Sequence, residues 1–127
     1  YLLGREDERA HGNEAFRRDN VSFKRRYDAL PQELRTVVSS TFDSVYVLLS
    51  RCMNARDAAE LTLYRELFSE LQTGRGEIKS ILADCGGDLA GAFPQIMEKQ
   101  NTLKAKTASI LDSLLQADVA ALKDSNK

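Results

Sequence analysis

Several residue types are scarce in this chain, and each scarcity closes off a class of protein. A single histidine, His11, serves all 127 residues. Zinc sites built from Cys and His, and di-iron bundles built from Glu-x-x-His pairs, therefore lack their ligands. A Ser-His or Cys-His nucleophile pair would have to recruit that same residue, which lies in an unpatterned leader. Two cysteines form no disulfide framework and fit a reducing compartment. No run of about 18 apolar residues is present to cross a bilayer, and Tyr1-Leu2-Leu3 is too short for a signal-peptide core. The chain does not begin with methionine, so a removed leader stays open; the expectation is a cytoplasmic protein. Charge of one sign is also lacking: 18 basic residues against 19 acidic ones leave a net charge of −1. That balance removes the strong electrostatic case for binding nucleic acid or anionic membrane, although local patches remain.

What is present is helical pattern. Hydrophobic residues make up 43% and charged residues 29%, values that suit a single globular helical domain and not a disordered chain. The strongest stretch is Leu34 to Met53. Leu34, Val37, Val38, Phe42, Val45, Leu48, Leu49 and Cys52 recur there at spacings of three and four, which places them on one broad helical face. Val45 to Leu49 is apolar all round, so this helix is expected to be covered on several sides by its neighbours.

The other elements follow from local signals. Residues 1–12 show no sustained period and read as a flexible leader. From residue 13 to 29, Phe16, Asn20, Phe23, Tyr27 and Leu30 fall at alternating fours and threes, a thin seam of coiled-coil type ending at the joint, with Arg17, Arg18, Lys24, Arg25 and Arg26 on its flanks. Pro31 breaks the helix and opens the next, over 32–53; one proline-kinked helix over 13–53 is the alternative. Asn54 suits a helix end, and Asp57-Ala58-Ala59-Glu60 reads as a variant capping box that starts a helix over 58–84. Gly74 and Gly76 fall inside that helix, but Leu71 and Ile78 keep its stripe in phase across them, so it is read as continuous. Cys85-Gly86-Gly87-Asp88 ends it, Asp88 caps a short turn, and Pro94 begins the last helix, over 94–123, whose apolar face widens after residue 107. Residues 124–127 are a tail.

The expected fold is all-α: an antiparallel up-down bundle of three long helices, with an amphipathic N-terminal helix docked or projecting. At about 1.5 Å per residue the long helices differ in length by roughly 10 Å, and Cys52 and Cys85 lie about 40 Å apart along the third, too far for a disulfide. Gly74-Arg75-Gly76-Glu77-Ile78-Lys79-Ser80 lacks the glycine before Lys-Ser and the preceding strand that a phosphate loop needs. Glu66 and Glu70 sit one turn apart, a spacing typical of a solvated face. Asn20-Val21-Ser22 is a glycosylation sequon with meaning only after export.

No catalytic, metal or cofactor set emerges, and the function expected is that of a non-catalytic scaffold assembling a larger complex through helix-helix contacts, with a protein partner or a second copy. The candidate partner-binding residues are Phe16, Arg17, Arg18, Asn20, Phe23, Arg25, Arg26 and Tyr27. A nucleic-acid or acidic-lipid surface on the arginine-rich flank is the alternative. A small-ligand pocket lined by Tyr46, Tyr64 and Phe68 is a third reading.

Overall fold

The computed structural model describes residues 21–55 and 57–125, and these are helical apart from positions 30–31, 57 and 85–88. They comprise α1 (helical over 21–29), α2 (Gln32–Ala55), α3 (Ala58–Asp84) and α4 (Leu89–Ser125). No strand occurs among the described residues. The leader, His11, the start of the first helix, and Phe16, Arg17, Arg18 and Asn20 lie outside them. The chain divides within α2 into two units, one ending at Val47 and the other beginning at Leu48.

In the first unit, Pro31 breaks the helix as expected. The Leu30 N–H bonds back to the Tyr27 carbonyl at 3.1 Å, and the Pro31 carbonyl takes the amides of Leu34 and Arg35, each at 3.0 Å. Pro31 thus stands at the cap rather than inside the first turn, a shift of one residue. The thin seam of α1 closes on α2. Phe23 lies edge-on to Phe42 with ring centres 6.0 Å apart, and Tyr27 bonds Ser39 through its hydroxyl at 2.7 Å. An Arg35 guanidinium N–H donates to the Asp28 carbonyl at 3.3 Å.

In the second unit, α3 and α4 form a hairpin. Contact positions descend on one helix as they ascend on the other: Glu77 pairs with Lys99 at 2.8 Å, Gly74 faces Leu103, and Glu70 pairs with Lys106 at 3.6 Å. The turn is made by Gly86 (φ 60°) and Gly87 (φ 88°), where only glycine avoids strain. Helix α3 passes unbroken through Gly74 and Gly76. Gly74 has a packing reason, because a Cβ there would sit 2.7 Å from a methyl of Leu103. Asp57 caps α3, its carboxylate taking the Glu60 amide at 3.0 Å. The capping box is only half closed, because the Asp57 N–H goes to the Cys52 carbonyl at 3.0 Å.

Two expectations are corrected. Helix α4 begins at Leu89, not at Pro94, and runs through the proline. Asp88 supplies the reason: its carboxylate takes the Gly91 amide at 3.0 Å, its carbonyl takes Ala92 at 3.2 Å, and the first turn forms without Pro94. In the second turn the proline forfeits one backbone bond, to the Ala90 carbonyl. Second, α2 is not covered on several sides. Leu34 is 49% exposed, Val37 59% and Tyr46 65%, whereas Cys52, at the other end of the same helix, is 2% exposed. Periodicity identifies an apolar face but does not supply the neighbour that covers it. The buried apolar residues among those described are Cys52, Ile78, Leu103 and Leu114, all in the second unit.

Candidate interaction surface

The α3–α4 hairpin has two unlike sides. At about 100° per residue, Ile78 on α3 and Leu103 and Leu114 on α4 mark the seam between the helices. On one side of that seam lie the pairs Glu77–Lys99 and Glu70–Lys106. Hydrogen bonding to Lys99 holds the Glu77 carboxyl below its ordinary value and raises Lys99 in turn. Beside them an open groove is lined by Arg65, Glu66, Ser69, Ala105, Ser109 and the half-buried Ile110. Charged residues are concentrated on this side, including the Glu66 and Glu70 carboxylates.

Around the other side the sequence turns apolar. Tyr64, Phe68 and Leu71 follow one another down α3, the two rings stacked with centres 6.3 Å apart. On α4 the matching flank holds Phe93, Met97, Leu111 and Leu115, with Leu122 beyond; all five are exposed, Leu115 at 62%. Scattered apolar residues are ordinary on a protein surface, but apolar residues grouped on one flank of two packed helices mark a surface that meets something; Arg75 on α3 and Lys104 on α4 interrupt the grouping.

At the end of α2 Cys52 is buried, its thiol donating to the Leu48 carbonyl at 3.3 Å. Burial, and then the negative charges of Glu60 and Asp57, push this thiol above its ordinary value. Glu60 is itself raised by burial, then by Asp118 and Asp57, and burial raises Tyr64 with Glu60 next in effect. Burial beside these acidic residues disfavours the Cys52 thiolate, the reactive form of cysteine. Both cysteines are free thiols. No group of three or more His, Cys, Asp or Glu is placed to hold a metal ion among the described residues. Gly74 to Ser80 is continuous helix, so it forms no phosphate loop.

Of the candidate binding residues that are described, Phe23 and Tyr27 turn toward α2 and stack on each other with centres 6.4 Å apart. Phe23 stays partly open, Arg25 and Arg26 are exposed, and the Arg26 Nε–H donates to the Ser22 carbonyl at 3.3 Å. Tyr46 is exposed on α2, and Tyr64 and Phe68 stack on each other on the hairpin. The sequence signals for the hairpin's apolar flank are the stripe of the third helix and the widening of the last helix's face after residue 107. No described helix is long and apolar enough to cross a membrane. No protein family, curated protein or solved structure matches the chain.

Proposed function

We propose that this chain is a non-catalytic interaction module that joins other polypeptides through helix-helix contacts. The observation that carries the reading is the apolar flank of the hairpin, set against a polar opposite side built from the same two helices. A helix laid along that flank completes the up-down layer that the sequence pattern calls for, with apolar positions at threes and fours as anchors. The seam of Phe23 and Tyr27 serves to hold α1 on α2, while the contact surface lies on the hairpin and on the open stripe of α2. The test is a photo-crosslinking residue introduced at 115 on the apolar side, or at 69 on the polar side, in cells making the full chain. Position 115 is expected to give a discrete adduct of higher mass and position 69 none. Equal yields from both, or nothing from 115, would sink the reading.

A second reading keeps the exposed Lys24-Arg25-Arg26 run on α1 as a phosphate-binding surface. Its signature is binding to RNA or anionic vesicles that weakens steeply with salt and is lost on Arg25→Glu with Arg26→Glu.

A further inference from the structure

We infer that the partner of the hairpin flank is an acidic amphipathic helix of another polypeptide, with carboxylates that meet Arg75 and Lys104, an inference that rests on the interaction-module reading above. Heptad spacing shows where those two cations stand. On α3, Phe68, Arg75 and Leu82 are seven residues apart, and on α4 so are Met97, Lys104 and Leu111. Residues seven apart share a helical face, so each row runs apolar, cationic, apolar along the flank. The helices run antiparallel with Gly74 against Leu103, which brings Arg75 and Lys104 to nearly the same level. Lys79 follows one turn after Arg75. The flank therefore has a basic centre, about 10 Å long on its axis, between two apolar ends.

These cations are placed unlike Lys99 and Lys106, which reach across to Glu77 and Glu70 on the opposite side of the hairpin. No carboxylate stands one turn before or after Arg75, Lys79 or Lys104 on its own helix, and none of the three makes an ion pair among the described residues. All three are exposed, and Arg75 and Lys79 are like charges one turn apart, a spacing that weakens a helix. A cation inside an apolar seam costs stability and selects the partner that answers it. A helix laid on this flank sets its apolar anchors against Phe68, Leu82, Met97 and Leu111, and acidic residues between those anchors neutralise the basic centre. A basic or uncharged helix leaves that centre uncompensated. A lipid surface calls for the reverse layout, with an apolar centre entering the bilayer and cations at its rim.

The test has two arms, both on the full chain. In the first, fluorescence anisotropy follows a labelled synthetic helix of about 20 residues, with leucines at threes and fours and glutamates between them. The same helix with lysines for glutamates, and vesicles of phosphatidylcholine with phosphatidylserine, are measured beside it. The acidic helix is expected to bind at least about tenfold more tightly than the basic one, and Arg75→Glu with Lys104→Glu to reverse that order. Both positions are exposed, so helicity by circular dichroism should be unchanged; if the glutamates lower it, Arg75→Gln with Lys104→Gln repeats the comparison and should abolish the preference. In the second arm, the adduct captured in cells through position 115 is digested and the attached segment sequenced. An acidic amphipathic segment of another polypeptide is expected, its yield cut by the charge-reversed pair. A preference that the substitutions leave unmoved overturns the inference. So does tighter binding to vesicles than to the acidic helix, or an adduct to a second copy or to a segment without acidic residues. Any of these, with position 115 still capturing a polypeptide and 69 none, rejects the acidic partner alone; no capture from 115 rejects the module reading with it.

Discussion

Gly74 and Gly76 are two residues apart on α3 and carry the same helix penalty, yet their surroundings differ. Nothing lies within 4 Å of a Cβ at 76, whereas one at 74 presses on the buried Leu103. Gly76→Ala is expected to stabilise the chain by about 1 kcal/mol. Gly74→Ala should fall short of that gain, and the difference between the two in urea unfolding measures the close approach of α3 to α4. Glu60 gives a pH signature. Burial, with Asp118 and Asp57, raises its carboxyl, so between the ordinary glutamate value and the raised one the folded chain binds more protons than the unfolded chain. Stability from this group is therefore lost as pH rises through that window. Glu60→Gln should melt higher than the native chain at neutral pH and converge with it below the ordinary carboxylate range; its backbone N–H keeps the Asp57 cap. A variant that melts lower at neutral pH would show that the carboxylate is stabilising after all.

At the scale of the helix, short-range chemistry is legible in the sequence and tolerance is not. Asp57 and the Gly86-Gly87 pair mark their helix ends because capping and positive φ are decided within four residues. The continuity of α3 across two glycines is legible because the stripe stays in phase. Pro94 misleads because a proline is the usual start of a helix, so the turn capped by Asp88 reads as separate from the last helix and not as its first turn. Asp88→Ala is expected to cost about 1 kcal/mol. Pro94→Ala should return the bond to Ala90, a gain of about 1–2 kcal/mol once the proline's restricted unfolded state, worth about 0.5–1 kcal/mol, is set against it. Denaturant titration of the two variants checks both, and a destabilised Pro94→Ala would mean that α4 relies on the proline at its start.

At the scale of the whole chain, apolar periodicity shows which faces avoid water but not what meets them. The pattern predicts cover for Leu34, Val37 and Tyr46, and they are exposed; it places Leu111 and Leu115 on the lining of a bundle, and they are exposed too. Burial is settled by neighbours far away in sequence, and those neighbours need not belong to the same molecule. The candidate surface is legible as composition, in the apolar rows of α2 and α4, and illegible as geometry. The central claim is that the apolar flank of the hairpin meets another polypeptide while its charged side does not. Photo-crosslinking of the full chain in cells tests it most directly: a photo-reactive residue at 115 is predicted to capture a discrete adduct and one at 69 to capture none. Equal capture from both positions, or none from 115, would contradict the claim.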